Sequence, residues 1–205
     1  NTFLAKLEKL FVVPANTFDN VKGFFPIGFF IWDTKKKEIF SEIAADVFNE
    51  KGLFTDNKNI YSYDNEKGRI NDWLKIHKIN STTFSGVMMG DAPDFQNNNY
   101  VSILNNVGKR HGIYFLINEA NINIASIYLA IRHCIEATWL NDRDQFLFPN
   151  DGWQNDSEFH NDCLTFALFH SQNKITSSQG TNHWIPFTEY EVNAQAKFES
   201  NFMTD

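Results

Sequence analysis

The sequence predicts an α+β fold in which short antiparallel strands pack with several amphipathic or buried helices. Apolar residues recur at spacings of three and four at Ile124, Ile127, Tyr128, Ile131, Ile135, Thr138 and Trp139, which draws one stripe along a helix over 123–139. A continuous aromatic and β-branched run from Phe24 to Trp32 has the length of a strand. Between residues 84 and 117, short apolar runs alternate with GDAPDFQNNN and NNVGKRHG, whose composition is that of loops.

Taken in order, residues 2–11 place Phe3, Leu4, Leu7, Leu10 and Phe11 at helical spacing, and Pro14 ends the element, which reads as a short helix or a helix end. The run over 24–32 reads as a strand with both faces covered, closed by Asp33, Thr34 and a lysine triplet. Pro26 belongs at its beginning or at a bulge, because proline cannot donate to a central ladder. Ile39, Phe40, Ile43, Ala44, Val47 and Phe48 fit a helix, yet the turn signal NEKG at 49–52 favours a hairpin between 45–48 and 59–63. Residues 71–76 read as a short helix or ordered turn anchored by Trp73. Strands over 84–89, 100–104 and 112–117 suggest an antiparallel meander.

The helix over 123–139 hands over to the charged turn NDRD, then to Phe146, Leu147, Phe148 and Pro149, with Trp139 and Trp153 as packing anchors. A second helix over 159–170 is apolar nearly all round and should be buried, with Asp156 or Asn161 as its cap. Residues 172–181 form a polar loop and 182–187 pack onto the body. Thr188 and Glu191 have the spacing of a capping box, which opens a last helix over about 189–202.

A chain of 205 residues is long enough to bury about 70% of its unfolded surface without disulfides or metals. It divides on paper into a strand-rich part, 1–80, and an α+β part, 81–205, read as one compact unit. Its 21 Phe and 5 Trp, against 10 Gly and 5 Pro, exclude a low-complexity or disordered class. The chain opens at Asn1 and enters an apolar pattern at once, which we read as a segment of a longer protein. Net charge is −7, and it is uneven: residues 1–80 carry 12 basic and 11 acidic side chains, residues 81–205 carry 6 and 14. A free-standing nucleic-acid binder usually shows a basic face, and the chain as a whole does not. No apolar run reaches the ~18 residues of a membrane span and no signal peptide opens the chain, so a cytoplasmic protein is expected. Cys134 and Cys163 sit in helical patterns and read as buried free thiols, in keeping with a reducing compartment.

No GxGxxG or GxxxxGK[ST] loop is present to cradle a phosphate or cofactor, and no glycine-flanked serine resembles a hydrolase nucleophile. His160, Asp162 and a distant partner could converge on a metal, but successive residues on a helix point about 100° apart, and a polar helix start is the better reading. His133 beside Cys134 reads as the flank of a packed helix rather than a dyad. The sequence therefore assigns no catalytic, cofactor or metal residue. Candidate nucleic-acid contacts are Lys35, Lys36, Lys37, Lys109, Arg110, Arg132 and Arg143, each weighed against a solvated loop charge, with Arg143 set between Asp142 and Asp144. The asparagines at 97–99 could meet base edges, but such a run is first of all a turn.

Five runs carry a resemblance: FPIGFFIWDT at 25–34, NDWL at 71–74, YLAIRHCIEATWLNDRDQFLFPNDGW at 128–153, HNDCLTFALF at 160–169 and GTNHWIPFTEYEV at 180–192. Together they resemble the C-terminal portion of large adenine-specific (N6) DNA methyltransferases of restriction-modification systems. Such enzymes hold S-adenosylmethionine with a glycine-containing loop and the flipped adenine with an Asn/Asp-Pro-Pro-aromatic motif. Neither is present, and Pro149-Asn150 runs in the wrong order, so no catalytic residue carries over. The resemblance implies a non-catalytic C-terminal region, inactive alone, that assists DNA engagement or target recognition. Its partners would be DNA and the parent's catalytic domain, and S-adenosylmethionine would be the parent's cofactor. The run over 24–34 would be a last strand of the methyltransferase α/β fold. The rival reading is a structural or protein-interaction domain packed on the catalytic core without DNA contact, which the acidic second half favours. A metal-dependent hydrolase built on His160 and Asp162 ranks last.

Overall fold

Val12 and Val13, β-branched neighbours, lie mid-sheet with their side chains on opposite faces, and both are buried. The computed structural model describes residues 4–62, 68–80, 83–90, 93–104, 114–149, 152–169, 176–177 and 180–181. The last helix expected over about 189–202 and the packed segment 182–187 lie outside them. The fold is α+β, and the chain divides into two units, Asn1–Glu66 with Ala137–Arg143, and Lys67–Glu136 with Asp144–Asp205. The division thus falls before residue 80, and the first unit takes back a short segment from far along the chain.

In the first unit, β1 (Lys6–Pro14), β2 (Pro26–Asp33), β3 (Glu42–Phe48) and β4 (Phe54–Tyr61) form one sheet in the order β2-β1-β3-β4. β1 runs antiparallel to β2 and parallel to β3, and β3 runs antiparallel to β4. The helix expected over residues 2–11 is thus a strand from Lys6. From Leu10 to Val13 the strand is apolar at both parities, because Leu10 and Val12 face the covered side while Phe11 and Val13 line an aromatic groove on the other. It therefore loses the two-residue period, and the leucines fall by chance at helical spacing. A hairpin turns at 49–52 as expected, but its second strand starts earlier than expected: residues 45–48 pair with 54–58, and Asn59, Ile60 and Tyr61 pair with Ala44, Ile43 and Glu42 rather than with 45–48. The turn closes because the Asn49 Oδ1 accepts the N–H groups of Lys51 and Leu53, both at 3.0 Å, and Gly52 takes φ +72°.

β2 begins at Pro26, as expected of a proline, but it is the rim of the sheet. The expectation of two covered faces fails there: Phe29, Phe30 and Ile31 are exposed. One face of the sheet is covered. Leu10, Val12, Ala45 and Val47 are buried on it under Trp139 and Leu140, with Ile43 and Ile60 beside them. Burying side chains the size of Leu10 and Val47 contributes about 1.5–3 kcal/mol each. The covering segment is fixed by the Lys58 ammonium, which donates to Leu140 O at 3.2 Å.

In the second unit, β5 (Gly86–Met89) lies between β6 (Ser102–Leu104) and β7 (Tyr114–Ile117), antiparallel to both. The strands are antiparallel as expected, but a meander would place β6 in the middle. Instead β7 returns to the free side of β5. Against this sheet pack α1 (Ile70–Ile76), α2 (Ile122–His133) and α3 (Ser157–Phe169), around a core that includes Ile70, Trp73, Val101, Ile103, Ile127 and Tyr128. Asn121 ties the β7–α2 corner: its Oδ1 accepts Asn118 N and its Nδ2 donates to Leu116 O, both at 2.9 Å.

α2 stops at His133, six residues before its expected end. Beyond it, Asn141 Oδ1 accepts the Thr138 N–H at 2.7 Å and its hydroxyl at 3.1 Å, a local turn that competes with helix. Trp139 and Leu140 pack in the first unit. Cys134, expected to be buried, is therefore exposed at the helix end, whereas Cys163 is buried, and both are free thiols. α3 is capped by Asp156, whose Oδ1 accepts the Phe159 N–H at 2.9 Å. It is buried through Cys163, Thr165 and Ala167 but not all round. Within the loop expected at 172–181, β8 (Thr176–Ser177) and β9 (Gly180–Thr181) pair antiparallel. Among the described residues no helix is long and apolar enough to cross a membrane.

Candidate functional site

Among the described residues the other face of the first sheet is uncovered, and it carries the aromatic surface of that unit. Register places Phe11, Val13, Phe29, Ile31, Asp46 and Phe48 on it. Phe11 stacks on Phe29 with ring centroids 4.8 Å apart and planes 10° from parallel. Phe18 continues the row beyond Phe29 at 6.1 Å, and Phe48 meets Phe11 edge-on at 6.1 Å. Phe54 then meets Phe48 edge-on at 5.9 Å. Such contacts each contribute about 0.5–1.5 kcal/mol beyond burial. Phe11, Val13, Ile31 and Phe48 line an open groove of about 450 Å³, whose polar side is Lys9 and Asp46. The Lys9 ammonium lies 3.0 Å from Asp46 Oδ2, and Asn57 Nδ2 donates to Asp46 Oδ1 at 3.0 Å. The groove thus offers apolar and aromatic walls with its charges paired, a surface suited to flat rings or aliphatic side chains rather than to an ion. Sequence reasoning missed it. The available signal was that residues 10–13 and 27–32 are apolar at both parities, while no amphipathic helix lies between them to cover a second face.

The lysine triplet stands in the turn after β2. Lys36 is paired with Glu8 at 2.9 Å and with Asp33 at 3.3 Å, and Lys6 approaches Glu8 at 3.4 Å. The hydrogen bond from Lys36 holds the Glu8 carboxyl below its usual range and raises Lys36 in return. Asp33 is lowered first by the backbone N–H of Lys35, 2.9 Å from its Oδ1, and then by Lys36. Lys37 donates to Thr34 O at 2.9 Å. Lys35 and Lys37 are exposed and remain geometrically open to a phosphate. Arg143 is exposed, with its Nε 4.0 Å from Asp142 Oδ2. Lys109 and Arg110 lie outside the described residues.

Arg132, the remaining basic candidate, is 0% exposed in the core of the second unit. It donates from Nε to Asn98 Oδ1 at 3.0 Å, from one terminal nitrogen to the Tyr128 hydroxyl at 3.0 Å and from the other to Asp94 O at 3.1 Å. The Tyr128 hydroxyl in turn donates to Asn71 Oδ1 at 2.6 Å, and the guanidinium carbon lies 5.4 Å from the Phe146 ring centre. Arg132 therefore ties α1, α2 and the two connections at 94–98 and 144–148 together, and it stands away from the surface where a phosphate would have to be met. Asn98, read in the sequence as part of a turn, lies in a 3-10 segment (Phe95–Tyr100) and is buried for this bond.

His133 is no dyad partner for Cys134. Its Nε2 lies 2.8 Å from Val101 O, which makes that nitrogen the donor, and burial holds the imidazole pKa below its ordinary value. His160 packs on Trp153 at 5.8 Å, and Trp153 meets Trp73 edge-on at 5.5 Å. Trp153 thus serves as a packing anchor. The His160 Nε2 is buried without a hydrogen-bond partner among the described residues. Among those residues no group of three His, Cys, Asp or Glu side chains is gathered to hold a metal ion. The chain matches no family model, no curated protein and no solved structure.

Proposed function

We propose that this chain is a non-catalytic C-terminal region of an adenine-specific DNA methyltransferase of a restriction-modification system, and that it works by docking on protein. The five sequence runs from 25–34 to 180–192 support the kinship. The observation that supports docking is the open row Phe18, Phe29, Phe11, Phe48 and Phe54 beside a groove whose charges are paired. Apolar exposed patches rimmed by polar groups mark interaction surfaces. The parent's catalytic domain is the partner the resemblance supplies, and S-adenosylmethionine is bound there rather than here.

DNA engagement is the second reading, favoured by Lys35 and Lys37 on an exposed turn. Fluorescence anisotropy with duplex DNA across a salt series separates the two. Docking predicts weak binding with a shallow salt dependence, because few phosphates are neutralised. A steep loss of affinity with salt, reduced by Lys35→Gln with Lys37→Gln, favours DNA engagement. Calorimetric titration with S-adenosylmethionine tests the non-catalytic part, and micromolar binding by this chain would overturn it. The complete reading frame tests the kinship: an upstream cofactor loop and an Asn-Pro-Pro-aromatic motif are expected.

A further inference from the structure

The two rims of the first sheet are built differently. β4 carries Asp56, Asn57, Lys58 and Asn59 at its middle, the charged and polar composition that discourages an edge from pairing with another chain. β2 has no charge between Pro26 and Asp33. Phe30 and Ile31 are 55% and 53% exposed. Neighbours along a strand point to opposite faces, so apolar surface is open on both sides of this one rim. Phe29 and Ile31 stand on the groove face, and Phe30 stands on the other, stacked on Trp32 at 6.4 Å. A helix or flat surface laid on the sheet covers one of these faces. A strand laid along the rim covers both and also takes up the backbone groups.

The direction of those groups follows from one bond. Ala15 N donates to Phe25 O at 2.9 Å, continuing the register in which Pro14 faces Pro26. Bonded and non-bonded pairs alternate along an antiparallel ladder. Ile27, Phe29 and Ile31 therefore direct their N–H and C=O to β1, while Gly28 and Phe30 direct theirs outward. Pro26, with no N–H to offer, falls at an outward position.

We propose that β2 is a strand-addition surface whose occupant is β2 of a second copy of this chain, paired antiparallel about Phe30. The incoming strand must be apolar at both parities, and β2 itself has that composition. Centring on Phe30 keeps the faces of the two sheets in phase: Phe30 meets its own copy, Phe29 meets Ile31 and Gly28 meets Trp32 of the second copy. The same register sets Asp33 against Ile27, so no like charges oppose, and leaves Pro26 at the end where its missing N–H costs least.

Sedimentation equilibrium on the whole chain tests this, with Ile31→Lys and Phe30→Pro. The wild type is expected at twice 23.8 kDa. Ile31→Lys, at a side chain over half exposed, introduces a charge opposite Phe29 of the second copy and should halve the mass. Phe30→Pro removes an outward N–H while the bonds to β1 stay, and should halve it too. By amide hydrogen exchange, Gly28 and Phe30 should be protected in the dimer and lose that protection at least about tenfold in Ile31→Lys. A wild-type mass of 23.8 kDa overturns the proposal. So does a dimer that survives Ile31→Lys, or Gly28 and Phe30 amides that exchange as fast in the dimer as in the variant.

Discussion

Arg132 donates from Nε to Oδ1 of Asn98 at 3.0 Å, with both side chains buried. A guanidinium out of water depends on each of its acceptors, because a charged donor left short carries most of its desolvation cost. Asn98→Leu keeps the size and removes the acceptor. It should lower stability by about 2–4 kcal/mol, read as a shift in the urea midpoint. An unchanged midpoint would mean that Arg132 finds another acceptor in place of Asn98.

His133 ties stability to pH. Burial lowers its pKa from 6.5, the Arg132 charge lowers it further, and the bond to Val101 O opposes both. The unfolded chain therefore takes up a proton at a higher pH than the folded one. This contribution is fully present above pH 6.5 and is lost as pH falls through the folded value. Urea midpoints measured from pH 7.5 down to 5 should decline, and His133→Gln should flatten the part of the decline that begins near pH 6.5. Equal slopes for the two proteins would exclude His133 as the source.

Glu8 and Asp33 share Lys36 but depend on it unequally. The largest influence on Glu8 is the Lys36 side chain, whereas the largest on Asp33 is the Lys35 backbone N–H. Lys36→Ala should raise the Glu8 midpoint towards 4.5 and move Asp33 less, as read by carboxyl NMR titration. Both groups are lowered, so whatever they add to stability is present at neutral pH and lost as the carboxyls protonate in acid. A larger movement of Asp33 than of Glu8 would contradict the ordering.

The elements legible in the sequence are those whose signal is local. Asn49 with Gly52 announces a turn, Asp156 announces a helix start, and Pro26 can only open a strand or sit on a rim. What escaped depends on distant partners. β1 shows leucines at helical spacing because its odd positions Phe11 and Val13 are apolar for the groove while Leu10 and Val12 are apolar for the core, so it does not alternate. β2 reads as doubly covered, since a continuous apolar run does not say whether it lies at the centre or the edge of its sheet. Arg132 lies one turn beyond Tyr128 and Leu129, on a buried helix face where a charge is unexpected. Only the acceptors of Asn98 and Asp94, brought from elsewhere in the chain to join the Tyr128 hydroxyl, make that position a core site for a guanidinium. The aromatic groove escaped for the same reason: its rings come from β1, β2 and β3, and their convergence is a property of register rather than of any one stretch.

The two thiols should differ in reactivity because α2 ends early. Burial, reinforced by the negative charges of Asp162 and Asp156, pushes the Cys163 thiol up to about 12. At pH 8 its thiolate fraction is then about one in ten thousand, and the side chain is shielded as well. Cys134 is also raised by burial of its sulfur, which donates to Ile131 O at 2.9 Å, but its residue is exposed at the helix end. Iodoacetamide at pH 8 should alkylate Cys134 at least about 100-fold faster than Cys163 in the folded chain, followed by peptide mass spectrometry. In denaturing urea the two rates should draw together, since the burial of Cys163 and the approach of Asp156 are lost and only the adjacent Asp162 stays beside the thiol. Equal rates in native buffer would mean that α3 opens around Cys163 faster than it reacts, and the buried assignment of that thiol would fail.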